Sequence, residues 1–144
     1  MKINTVRFGE IDVEEQRVYS FVLPIIGFNE LRKFVIIDTG KDSFFKWLQS
    51  VEDPALAFPI VSVFSMNVDY SIDLPDNVVD VLKIQSVESL LVMNIASIPQ
   101  DNPHGTTINL LAPIIFNVEE QLAGQIILSG SGYDISFPLF KTNS

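Results

Sequence analysis

The stretch FFKWLQSVEDPALAFPIVSVF (residues 44–64) predicts two strands joined by a turn. Successive side chains of an extended chain point to opposite faces, so Trp47 and Gln49 share one face and Leu48 lies on the other. The polar break EDP (residues 52–54) separates the strands, because acids followed by proline are typical of turns. We expect the apolar side chains to lie in the core and the polar break, from Gln49 onward, to be presented at the surface.

The rest of the chain continues this pattern of short apolar runs bounded by Gly, Pro, Asn and Asp. Hairpins are predicted around Gly9 and around the turn GSG (residues 130–132). One helical turn capped by Asn29 is predicted over residues 29–33, and a short α-helix near residues 76–83, where a proline opens it. With about ten short strands and no strand–helix alternation, the sequence predicts an all-β, mainly antiparallel barrel or sandwich.

The length of 144 residues predicts a single domain, which we place at residues 1–140, followed by a loose tail at 141–144. The chain has no cysteine, which excludes disulfides and thiolate metal sites. The first ten residues lack the apolar run of a secretory signal, and the longest apolar runs are about half a membrane span. We therefore expect a cytoplasmic protein that does not associate with membranes.

Charge is distributed unevenly along the chain, which carries a net charge of −9 although 47% of its residues are hydrophobic. Residues 1–46 hold seven basic and seven acidic side chains, whereas residues 47–140 hold one basic side chain, Lys83, and eleven acidic ones. An acidic field repels nucleic acid and attracts basic partners, and exposed apolar surface marks partner sites. We expect protein partners and no direct contact with nucleic acid.

The triplet Asp38-Thr39-Gly40 is the one sequence feature that suggests catalysis. It follows an apolar run and resembles the local signature of aspartic proteases, in which two such half-sites must dimerise. Lys41 would place a charge beside that pair of carboxylates, and the triplet equally fits a β-turn, which we favour. His104 is the only histidine. We therefore expect no catalytic, metal-binding or cofactor-binding residues and no cofactor, with a dimeric aspartic hydrolase as the alternative.

Two blocks of sequence, WLQSVEDPALAF (residues 47–58) and NLLAPIIFN (residues 109–117), resemble those of the flagellar assembly factor FliW family. RFGEIDVEE (residues 7–15) and GFNELRKFVII (residues 27–37) resemble other segments of that family, so the similarity runs from about residue 4 to residue 137. The stretch FVLPIIGF (residues 21–28) departs from the family pattern and keeps only its ends.

The resemblance implies a small β-barrel or pseudobarrel and a regulator without enzymatic activity. Proteins of this family bind flagellin in the cytoplasm. They also bind CsrA, an RNA-binding translational repressor, and so relieve repression of flagellin synthesis. We expect the same partners here and a monomeric chain. A β-domain that binds some other protein is a further alternative.

The candidate partner-binding residues come from the polar break, from the acids around the predicted helix, whose N-terminal dipole tolerates them, and from a polar turn before Gly124. They are Gln49, Glu52, Asp53, Asp69, Asp73, Asp76, Asp80, Glu119 and Glu120.

Overall fold

Eleven strands and one α-helix make up the described part of the computed structural model, which covers residues 1–40, 44–66 and 68–140. The predicted tail at 141–144 and Lys41 lie outside the described residues. The strands are β1 (Lys2–Thr5), β2 (Gly9–Asp12), β3 (Val18–Leu23), β4 (Lys33–Ile37), β5 (Lys46–Ser50), β6 (Ala57–Val61), β7 (Leu90–Ser97), β8 (Thr107–Ile108), β9 (Ile114–Asn117), β10 (Leu122–Gln125) and β11 (Phe137–Pro138), and the helix is α1 (Asp76–Val81). Four short 3₁₀ turns lie at Glu15–Arg17, Val63–Ser65, Val87–Ser89 and Pro103–Gly105.

Seven strands close into a barrel in the order β3-β4-β5-β6-β7-β9-β10, with β10 returning to β3. Every pairing between described strands is antiparallel except that of β10 with β3. The register of this parallel pair shifts between Ala123 and Gly124. A Cβ on Gly124 would lie 2.7 Å from the Cβ of Leu23, so glycine permits the close approach that closes the barrel. The predicted all-β barrel is confirmed.

The barrel interior is filled by side chains from all seven of its strands. Alternation along each strand sends one set of residues inward and the next outward; Phe34, for example, lies in the interior cluster and its neighbour Val35 in another. The buried interior residues on the barrel strands are Phe21, Phe34, Leu48, Ile60, Met93, Ile114, Phe116 and Ala123.

Two additions cover the outward faces of barrel strands. The β1–β2 hairpin packs Ile3 against Val35 of β4. The chain between β6 and β7, which includes α1, packs Val78 and Leu82 into a cluster with Ile115 of β9. These covers explain why barrel strands are buried on both faces rather than alternating between core and solvent.

Local signals predicted two of the minor elements correctly. The hairpin around Gly9, where φ is 72°, forms as expected. The helix near residues 76–83 begins at Asp76 after Pro75 and ends at Val81; the φ of 53° at Lys83 lies outside the helical range. Strand β9 begins at Ile114, directly after Pro113, which has no backbone N–H to donate.

Two other local predictions are wrong. Residues 29–30 form a turn rather than a helix, since β4 begins at Lys33 and pairs with β3. The C-terminal hairpin around residues 130–132 does not form: β11 pairs instead with β8, and Phe137 lies opposite Ile108. In the first place pairing with the preceding strand, and in the second pairing with a distant strand, outweighs the local capping and turn signals.

Candidate functional site

The turn after β5 is held together by the side chain of Gln49, which is fully buried. Its Nε2 donates to the carbonyl oxygens of Ser50 at 3.0 Å and Leu56 at 3.1 Å, and lies 3.4 Å from those of Asp53 and Pro54. The turn folds its carbonyl groups inward, where they need a donor. The prediction that Gln49 is presented at the surface is therefore wrong: it is a structural residue.

The two acids of this turn are bound to backbone amides. Glu52 is exposed, but its Oε1 accepts hydrogen bonds from the backbone N–H groups of Arg32 at 2.7 Å and Lys33 at 2.8 Å. Asp53 is half-buried, and its Oδ1 accepts from the N–H of Ala55 at 3.0 Å. Both carboxylates therefore shape the turn, and any contact that they make with a partner stays a prediction.

The expectation that Trp47 lies in the core is wrong: its side chain lies at the outside of the barrel. Trp47 is half-buried, with the guanidinium carbon of Arg7 3.9 Å from its ring centre and the ring of Phe8 edge-on at 6.3 Å. Leu48, on the opposite face of β5, is fully buried as predicted. Trp47 thus anchors the end of the N-terminal hairpin.

A second acidic stretch, residues 68–81, has its acids free; we call it the acidic segment. Asp69, Asp73, Asp76 and Asp80 are all exposed, as the sequence predicts. None of them takes part in an ion pair within the described residues, whereas acids of the first 38 residues pair with Lys2, Arg17, Lys46 and the N-terminus. Their side chains face solvent.

The acidic segment is fixed to the barrel through Tyr70. Its hydroxyl donates to the carbonyl of Leu110 at 2.6 Å and accepts from Nδ2 of Asn94 at 3.1 Å. Burial raises the pKa of Tyr70 above its ordinary value, so the hydroxyl keeps the proton that it donates. The ring of Tyr133 packs edge-on at 4.8 Å, and its hydroxyl accepts from the N–H of Ser71.

The acids Glu119 and Glu120 lie exposed in the turn between β9 and β10. Oδ1 of Asn117 accepts from both of their backbone N–H groups, at 3.1 and 3.2 Å. Nδ2 of Asn117 donates to the carbonyls of Leu82 and Lys83, which ties this turn to the end of α1. Glu120 also lines a cleft together with Met1 and with Lys33, the first residue of β4. The nine predicted residues therefore do not form one surface.

An apolar groove of about 500 Å³ lies beside the acidic segment; we call it the acidic-rim groove. Sequence reasoning missed it, because four separated parts of the chain build it. One residue does hint at the groove in the sequence: Val87 is an apolar residue in the polar run QSVES. In the structure its side chain is 83% exposed. The groove is lined by Ser62, Phe64, Ile72, Leu74, Val87, Leu90, Leu91, Val92 and Ile115.

A second apolar groove, of about 410 Å³, lies where the stretch 21–28 meets the block 109–117; we call it the isoleucine groove. Ile26, Ile127 and Ile135 line it, and each is more than half exposed. No charged side chain contributes to its lining. The sequence stretch that departs from the family pattern thus contributes to an exposed apolar surface.

Asp38 directly follows β4 and is exposed. The predicted β-turn stays a prediction, because Lys41 lies outside the described residues. Oδ1 of Asp38 accepts from the N–H of Gly40 at 2.9 Å, and its Oδ2 lies 4.0 Å from Nζ of Lys46. Among the residues described there is no cluster of His, Asp and Glu suited to a metal ion. Likewise, no helix in this part of the chain has the length and apolar character needed to cross a membrane.

The barrel and its surface define a class of protein: a small closed β-barrel with unpaired acids beside apolar grooves. The family model described as "FliW protein" matches residues 2–139. The flagellar assembly factor FliW of Clostridium tetani is 38% identical over 141 residues, 98% of this chain and 97% of the relative. That of Caldicellulosiruptor saccharolyticus is 40% identical over 134 residues, 93% and 87% of the two chains.

A crystal structure of the flagellar assembly factor FliW superposes with a TM-score of 0.92 at 34% identity, covering 100% of both chains. The chain belongs to the FliW family of flagellar assembly factors.

Proposed function

We propose that this protein is a non-enzymatic regulator that binds flagellin and a CsrA-type translational repressor in the cytoplasm, and so relieves repression of flagellin synthesis. The observation that carries the proposal is the set of unpaired acids on the acidic segment, in a barrel of a family whose relatives are named flagellar assembly factors. A cytoplasmic location follows from the partners, because flagellin would meet its regulator before export.

The acidic segment supports binding of a basic partner. A repressor that holds RNA must be basic where it meets the phosphates. Residues 47–140 carry eleven acids and one base, so they would attract such a protein and repel RNA itself. We accordingly propose that the chain acts on RNA only through the repressor.

The isoleucine groove supports an apolar contact with flagellin. Before export, the terminal regions of flagellin are amphipathic segments without their assembly partners, and such segments dock by placing apolar side chains in grooves. Ile26, Ile127 and Ile135 offer this kind of surface without charge. Flagellin binding should therefore depend less on salt than repressor binding does.

The first experiment is calorimetry with purified flagellin monomer and, separately, with CsrA. We expect heat of binding with both at tens of micromolar or below. A folded chain that gives no heat with flagellin would contradict the proposal, and binding of only some other protein from the source cell would favour the alternative of a different β-domain receptor.

The second experiment measures CsrA bound to a flagellin leader RNA. Added protein should release the RNA, and added flagellin should restore repressor binding; the protein alone should not bind the RNA. Release of RNA by the protein in the absence of any complex with CsrA would overturn this order of events.

The aspartic hydrolase alternative is tested by light scattering and peptide turnover. A monomer that cleaves no peptide removes it, because a half-site needs a second copy to supply the other carboxylate. A dimer with turnover lost in Asp38→Asn would replace the proposed function.

A further inference from the structure

We propose that the acidic-rim groove receives one amphipathic helix of a protein partner, with an apolar ridge in the groove and Lys or Arg side chains on both flanks of that ridge. The inference rests on the proposed function in one respect: the acidic segment is taken to face a basic partner. It deepens that function by naming the surface and the chemistry of the element that binds there.

Large apolar side chains line the groove, and some of them are largely exposed. Phe64 is 53% exposed and Val87 is 83% exposed, while Ile115 at the barrel wall is fully buried. Large apolar side chains left in water around a concave surface favour burial by a partner. The volume of about 500 Å³ suits the few side chains at positions i, i+3, i+4 and i+7 that a helix presents along one ridge.

Two exposed acids lie close in sequence to lining residues of the groove. Asp76 is two residues beyond Leu74, and Glu88 follows Val87 directly, whereas Asp73 lines a separate cleft. Neither Asp76 nor Glu88 forms an ion pair within the described chain. Electrostatic complementarity therefore selects a helix with basic flanks and rejects one with acidic flanks.

The groove is also built before any ligand arrives. The ring of Phe64 packs at 5.6 Å on the ring of Tyr70, and the Tyr70 hydroxyl is bound to the carbonyl of Leu110. Two anchors on one residue hold the acidic segment and one lining residue in place relative to the barrel. A preformed surface loses less conformational entropy on binding than one that must be ordered by its ligand.

Two synthetic helical peptides test the inference directly. Each has roughly 18 residues, long enough to populate a helix in water, and a Leu ridge; one carries Lys on both flanks and the other carries Glu in the same places. Fluorescence anisotropy with the full chain should detect the Lys peptide, with affinity falling as salt rises, and not the Glu peptide. Equal affinity for the two peptides would overturn the proposal.

Matched variants locate the binding surface. Val87→Ser should weaken the Lys peptide roughly fivefold by removing apolar contact. Val6→Ser, at a similarly exposed valine in the N-terminal hairpin, should leave its affinity unchanged. Glu88→Lys should weaken it roughly threefold at low salt, while Glu30→Lys changes the net charge equally and should have little effect. Circular dichroism checks that each variant is folded.

Failure of this inference is distinguishable from failure of the proposed function. If Val87→Ser and Val6→Ser bind the Lys peptide alike, the groove is not its site and the inference is wrong. The calorimetric results with flagellin and CsrA then stand by themselves. If the Lys peptide binds as expected and neither whole protein does, the groove has the proposed chemistry and the proposed function is wrong.

Discussion

The turn at residues 49–56 and the acidic segment at 68–81 contain the same kinds of residue and use them differently. In the turn, Glu52 and Asp53 accept hydrogen bonds from backbone amides. The acidic segment is instead fixed to the barrel by Tyr70, and the aspartates of the segment have no ion-pair partner among the described residues. Where a different side chain holds a segment in place, the acids of that segment are free to bind a partner. Substitutions should therefore cost stability in the turn and association in the acidic segment.

The largest effect is expected at Gln49. Gln49→Ala removes the donor that serves the inward carbonyls of the turn, and it should lower the free energy of unfolding by about 3 kcal/mol. Urea denaturation measures this loss. Gln100→Ala, at an exposed glutamine outside the turn, is the control and should change stability by less than about 0.5 kcal/mol. Equal losses would show that the turn does not depend on its buried amide.

Substitutions in the acidic segment should change the rate of association with a partner rather than the stability of the fold. Changing Asp73, Asp76 and Asp80 together to Asn should slow association with CsrA roughly tenfold at low salt and flatten its salt dependence. The fold should remain intact, and flagellin binding should change less. Stopped-flow mixing at several salt concentrations decides the matter: an unchanged association rate with an unchanged salt slope would show that these acids serve solubility only.

Substitution of Glu52 should have a smaller effect, and that effect should be on stability. Glu52→Ala deprives the N–H groups of Arg32 and Lys33 of their acceptor, and it should cost about 1 kcal/mol in the free energy of unfolding. Glu30→Ala removes an exposed acid that makes no such bond and should be nearly neutral. Thermal melting of the two variants gives the comparison, and a slower association with CsrA in Glu52→Ala without lost stability would reverse the roles of the two stretches.

The smallest effect is expected at Asp38. Asp38→Asn keeps an oxygen that can accept from the N–H of Gly40 and loses only an exposed charge 4.0 Å from Lys46. Stability should fall by less than about 0.5 kcal/mol. A melting temperature lowered by many degrees would show that the carboxylate has a structural role like that of Glu52.

Sequence patterns predicted the barrel because its strands are rich in β-branched and aromatic residues, and they predicted the helix because Pro75 and Asp76 mark its start. They failed for β10, whose sequence LAGQ has little strand propensity and forms because β3 and β9 lie on either side. They failed for the last hairpin because turn signals at Gly130 and Gly132 say nothing about which distant strand will pair with Phe137.

The candidate site was predictable in part for a related reason. The exposure of Asp69, Asp73, Asp76 and Asp80 follows from their charge alone. The burial of Gln49 does not, since it depends on carbonyl groups that turn inward only after the chain has folded. The acidic-rim groove depends on four segments that the folded chain brings together, and no local sequence pattern indicates that they are close.

Closure of the barrel by a parallel pair has a consequence for synthesis of the protein. Leu122 lies opposite Ser20, so the closing strands are 102 residues apart along the chain (122 minus 20). Until β10 has been made, β3 and β9 keep unpaired edges, which are prone to association with other chains. Pairings of such long separation form slowly, because the entropy of closing the loop is lost first. A nascent chain thus has no finished docking surface, and an interrupted one is a target for aggregation or proteolysis.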